Sequence, residues 1–82
     1  MYLIGYTCQV DKIELLKSLG ERIKEIRLAK GLTQTELAHK IGKDHPSVNR
    51  LEKGKINPSY FFLCEIAEGL EISINDIFES RI

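Results

Sequence analysis

The sequence predicts an all-α protein, a compact five-helix bundle with an extra N-terminal arm. Three observations predict it. Apolar residues recur at helical spacing along most of the chain. Ser, Thr and Asp stand three residues before acidic residues at several expected helix starts. Glycines fall where helices should end.

The first helix is expected from about residue 12 or 19 to Lys30, with Ile13, Leu16, Leu19, Ile23 and Ile26 on its apolar face. Leu28 or Ala29 would extend that face. Asp11 with Glu14 and Ser18 with Glu21 offer alternative starts, and Gly20 between them leaves one long helix or two short ones open.

The motif Thr33–Lys53, TQTELAHKIGKDHPSVNRLEK, is the most informative stretch. Thr33-Gln34-Thr35-Glu36 fits a capping box. Leu37, Ala38 and Ile41 then share one face, with Ala38 small where a second helix must approach. Gly42 suits a left-handed stop. Asp44 or His45 can cap the next helix, and Pro46 lies in its first turn, where a missing N–H does no harm. Val48 and Leu51 face inward, leaving Ser47, Asn49, Arg50 and Lys53 outward.

After the loop Lys55–Pro58, Pro58 or Ser59 opens a fourth helix ending near Gly69-Leu70. Its expected buried stripe is Tyr60, Leu63, Ile66, Ala67 and Leu70, with Cys64 packed beside it as a small hydrophobe. A fifth helix follows Ser73, which is spaced to pair with Asp76 as an N-cap. The division expected is an arm over 1–11 and a domain over 12–82. In the arm, Tyr2, Ile4 and Tyr6 alternate with other residues in the manner of extended chain.

Eighty-two residues with a hydrophobic fraction of 43% suit one small core. No apolar run approaches the roughly 20 residues a membrane helix needs, and the start lacks the pattern of a secretion leader. A cytoplasmic protein with no membrane partner is expected. Cys8 and Cys64 have no metal-type spacing, and two reduced thiols are expected. His39 and His45 lack companions at ligand spacing, and there is no glycine-rich phosphate loop or nucleophile elbow. The expectation is therefore no enzyme, no metal and no cofactor. Net charge is zero, but residues 1–58 carry +4 and residues 59–82 carry −4. A basic half can still hold one face to phosphate.

These residues resemble the phage-repressor and Cro type of helix-turn-helix domain, the XRE family. The likeness rests on Leu19-Gly20-Glu21-Arg22-Ile23, on Lys30-Gly31-Leu32-Thr33-Gln34, and on Glu36-Leu37-Ala38. It continues through Val48–Lys55, Asn57-Pro58-Ser59, Ile66-Ala67 and Leu70. The resemblance implies a bundle of the lambda-repressor-like type that binds double-stranded DNA by laying the second motif helix in the major groove. His45, Pro46, Ser47, Asn49 and Arg50 would then be the base-reading residues, beside Asp44. Arg50 can pair with guanine O6 and N7, clamp a phosphate or make a surface salt bridge. Asn49 can pair with adenine or hold a phosphate. Pro46 cannot donate and could at best touch a thymine methyl. Asp44 would be repelled by phosphate unless spent on the cap.

Gln34 matches the family position that meets the DNA backbone, and Thr35, Ser47, Lys43, Lys53 and Lys55 are further phosphate candidates. Arg27 and Glu52 match a structural ion pair. The apolar residues Phe61, Phe62, Ile72, Ile74, Ile77, Phe78 and Ile82 exceed what so short a chain end needs and point to a homodimer. A two-fold dimer would read a pseudo-palindromic operator with half-sites roughly 34–36 Å apart. The expected role is a transcriptional regulator acting as a repressor. The alternative is a protein-interaction module, with a protein partner, that kept the fold but has little DNA binding.

Overall fold

The computed structural model describes residues 11–78, which form five helices and, among those residues, no strand. Helix α1 runs unbroken over Lys12–Ala29. It starts at Asp11, whose side chain accepts from the backbone N–H groups of Ile13 and Glu14 at 3.0 and 3.4 Å. Asp11 is thus the N-cap of α1. The expected extended arm with Tyr2, Ile4 and Tyr6, together with Cys8 and Ile82, lies outside the described residues.

Gly20 does not break α1. It is buried, and a Cβ there would collide with the carbonyl of Glu52 and stand 2.6 Å from that of Leu51. The glycine is needed for close approach of α1 to the helix that ends at Glu52, not for a kink. The earliest apolar residues of α1 do not join the core. Ile13 and Leu15 are exposed, as is Leu28. Burial begins with Leu16 and Leu19 and becomes complete at Ile23.

Helix α2 spans Gln34–Lys40 behind a complete capping box. Thr33 Oγ1 accepts from Glu36 N at 3.0 Å, and Glu36 Oε1 accepts from Thr33 N at 2.9 Å. The turn after it passes through Gly42 at φ +70, as expected of a left-handed stop. Helix α3 covers His45–Glu52, and its cap is Asp44, not His45. Helix α4, Tyr60–Leu70, is capped by Ser59 Oγ, which accepts from Phe62 N at 3.0 Å. Helix α5, Ile74–Phe78, is preceded by Ser73, whose backbone N–H donates to Asp76 at 3.1 Å and whose hydroxyl accepts from Asn75 N.

The core gathers Ile23, Leu37, Ala38, Val48, Leu51, Leu63, Ile66, Ala67, Leu70 and Ile77 from all five helices. Each fully buried aliphatic side chain contributes about 1.5–3 kcal/mol of transfer free energy. Helix α3 packs on both α1 and α2, while α4 packs on α2 and α5. Arg22 reaches across from α1 and donates to the Asp76 carbonyl at 2.9 Å, pinning α5. Two expectations about the α4–α5 end need correction. Tyr60, placed in the buried stripe, is 68% exposed, because the first turn of α4 projects beyond the core. Ile77, assigned to a dimer face, is only 3% exposed and completes the monomer core.

Candidate nucleic-acid interface

Helices α2 and α3 present one surface, and α3 is held there by its inner face. Val48 and Leu51 are buried in the core, and Glu52 is buried against Arg27. The guanidinium and carboxylate meet as a fork. Arg27 Nε donates to Glu52 Oε2 at 2.6 Å and Nη2 to Oε1 at 3.0 Å, while Nη1 donates to the Leu32 carbonyl at 2.7 Å. Paired charges at this depth are tolerable only because each has several hydrogen bonds. The result ties α1, the turn before α2 and the end of α3 into one frame.

Five candidate reading residues lie on α3. His45, Pro46 and Arg50 are exposed, and Ser47 and Asn49 are half-buried. Asp44, just before them, is consumed by capping and accepts from Ser47 N at 2.9 Å. Hydrogen bonding from the Ser47 hydroxyl, then from its backbone N–H, holds the Asp44 carboxyl below its usual value, and the Arg50 charge acts in the same direction. The carboxylate therefore stays ionised, with one oxygen engaged by the first turn of α3.

The amide side chains are not free. Gln34 Nε2 donates to Glu52 Oε1 at 2.9 Å, and Asn49 Nδ2 donates to Gln34 Oε1 at 3.2 Å. A polar chain therefore runs from the buried ion pair through α2 to the outer half of α3. The sequence contains these residues but no signal that joins them, because they are 15 and 18 positions apart and meet only once α2 packs on α3.

Among the phosphate candidates, Thr35, Lys53 and Lys55 are exposed. Lys53 and Lys55 border an open depression of about 600 Å³ between α1 and the end of α3, which Lys17 and Lys24 also line. Lys43 is differently placed. Its ammonium lies 3.5 Å from Glu65 Oε1 and 5.8 Å from the centre of the Phe62 ring. Glu65 Oε1 is shielded from solvent and has no hydrogen bond, so this lysine is its compensating charge. Lys40 likewise meets Glu71 at 3.4 Å. The acidic half of the chain therefore reaches back to the basic half, and the charge split read from the sequence is weaker in space.

The dimer candidates separate into two groups. Phe61 is 71% exposed and Phe78 56% exposed, and they share the α4–α5 end with Tyr60. Phe62, Ile72 and Ile74 are partly buried against the core. Cys64 is a free, half-buried thiol. Among the described residues there is no cluster of three metal-ligating side chains and no helix long and apolar enough to cross a membrane.

A short helix capped by Thr33, a glycine turn and a second helix clamped from behind define a helix-turn-helix protein. The helix-turn-helix family model HTH_3 matches residues 23–77, and the chain belongs to that family. An uncharacterized HTH-type transcriptional regulator from Archaeoglobus fulgidus is 44% identical over 57 residues, covering 70% of this chain and 81% of its own length. The restriction-modification controller protein C.AhdI from Aeromonas hydrophila superposes with a TM-score of 0.75 at 36% identity, covering 77% of this chain and 96% of that one. The clp gene regulator ClgR from C. glutamicum gives a TM-score of 0.75 at 28% identity, covering 78% and 83% of the two chains. The family is one of transcriptional regulators rather than enzymes.

Proposed function

We propose that this transcriptional regulator is cytoplasmic and binds a pseudo-palindromic duplex operator as a homodimer, acting as a repressor by occupying a promoter. The observation that carries the reading is the division of α3. Its inner face is locked by Val48, Leu51 and the Glu52–Arg27 pair, and its outer face offers His45, Pro46, Ser47, Asn49 and Arg50. A helix held rigidly from one side with polar groups on the other is what major-groove readout requires. Thr35, Lys53 and Lys55 flank it for phosphate contact. Phe61 and Phe78, which are exposed, and Phe62, Ile72 and Ile74, which are partly buried against the core, supply the dimer surface. The likeness to a restriction-modification controller supports a regulator of this kind.

The engagement of Lys40 and Lys43 by acids favours a second reading, a protein-interaction module with little DNA affinity. The two readings part on salt dependence, since DNA binding weakens with a log–log slope of about −0.9 per phosphate neutralised. The test is selection from a random duplex pool beside Arg50→Ala, with sedimentation of wild type and Phe61→Glu at about tens of micromolar. Enrichment of a two-fold-symmetric site that relaxes in Arg50→Ala, and a dimer that Phe61→Glu dissociates, are expected. A folded protein that enriches nothing would overturn the DNA reading. A wild-type monomer at that concentration would overturn the dimer.

A further inference from the structure

We infer that Gln34 is a positioning residue that fixes the side-chain amide of Asn49 for adenine, so that the buried ion pair sets the polarity of the reading surface. The inference rests on the DNA-binding reading above. It follows from which groups can donate. Glu52 is a carboxylate that accepts from Arg27 through both oxygens, at 2.6 and 3.0 Å, and such a group can only accept. Gln34 must therefore turn its NH2 toward Glu52, as it does at 2.9 Å. Its carbonyl is then left facing α3. Asn49 must answer with its own NH2, at 3.2 Å.

Every amide in the relay is thereby oriented by the one beneath it. A terminal amide is nearly symmetric in shape, and only its partners decide which end is oxygen. Here the decision is made by a charge more than nine-tenths buried and two side chains away. Asn49 is left with Oδ1, which has no hydrogen-bond partner among the described residues, and with its second N–H. An acceptor beside a donor complements adenine, whose major-groove edge offers the N6 amino group and the N7 acceptor. It opposes guanine, whose O6 and N7 both accept and would meet Oδ1 with like polarity. Without Gln34 the amide could turn over, and the discrimination would go with it.

The experiment begins with the duplex selected by wild type from a random pool. Asn49→Ala locates the position whose base preference it abolishes, and duplexes carrying each base there are titrated against wild type, Gln34→Met and Gln34→Ala. Wild type is expected to prefer adenine over guanine by on the order of ten-fold or more. Both Gln34 variants are expected to lose most of that ratio, with their folding verified by circular dichroism. In free wild type, the Asn49 side-chain amide is expected at a nitrogen-15 NMR shift well away from that of an unstructured asparagine. Loss of affinity by one common factor for all four bases, ratio intact, would make Gln34 a phosphate clamp and overturn the inference. So would a guanine preference, an Asn49→Ala profile unchanged at every position, or an unstructured amide shift in wild type. If wild type selects no site at all, the DNA reading itself fails, and the relay is left with nothing to read.

Discussion

Replacing Arg27 by methionine strands a carboxylate in the interior. Methionine fills much of the same volume, so the lost interactions are chiefly polar. Glu52 would forfeit the donors at 2.6 and 3.0 Å and keep only Gln34 Nε2 at 2.9 Å, while the Leu32 carbonyl would lose its partner at 2.7 Å. Breaking one side of such a pair costs about 3–5 kcal/mol, because the surviving charge is left without compensation. A domain of this size holds roughly 4–12 kcal/mol in all. The variant should therefore lose about a quarter or more of its stability, and its Tm should fall by at least about 12 °C. Glu52→Leu should cost a comparable amount by stranding the guanidinium. Arg27→Met with Glu52→Leu removes both charges together, so the double variant should be more stable than the sum of the singles implies by about 2 kcal/mol or more. Urea unfolding of the four proteins, followed by circular dichroism, measures the cycle. A cost below about 1 kcal/mol for Arg27→Met, or singles that simply add, would refute the claim that this pair is a desolvated clamp.

Two further outcomes are expected. Gly20→Ala should destabilise despite the roughly 1 kcal/mol that alanine gains over glycine inside a helix, because its Cβ meets the rigid backbone carbonyls of Leu51 and Glu52 rather than a side chain that can move; a raised Tm in thermal melts would show that α1 and α3 are further apart. Asp44 has a carboxyl held below its usual 3.8, so the cap's charge contributes stability above that pH and loses it as pH falls through the lower folded value; the stability gap between wild type and Asp44→Asn, measured by melts from about pH 6 downward, should close below about pH 4, and a gap that widens on acidification would reverse the assignment.

The helices were legible because their start signals are local. The Thr33–Glu36 box, the Asp11 and Ser59 caps and the Gly42 turn each involve residues within one turn of one another. The Arg27–Glu52 pair came from family likeness, since 25 positions separate its members. Other features were misread or invisible for the same reason. Whether Gly20 is a break or a close approach depends on the carbonyls of α3, which no window around Gly20 contains. Tyr60 and Ile77 both lie on apolar stripes, yet one projects past the core and the other enters it. Periodicity gives the side of a helix but not where along its length the neighbouring helix stops.

The sequence by itself therefore determined the all-helical class, the Thr33–Glu36 capping box, the turn of the motif at Gly42 and the inward direction of Val48 and Leu51 on α3. Those properties arise from backbone groups and side chains at short separation, where the chain cannot choose otherwise at low cost. The tertiary structure decided which charged and polar groups are free to meet a ligand. It engaged Lys43 with Glu65 and joined Gln34, Asn49 and Glu52 into one relay. Polar groups act over a few ångströms, and only packing of α2, α3 and α4 brings these within reach.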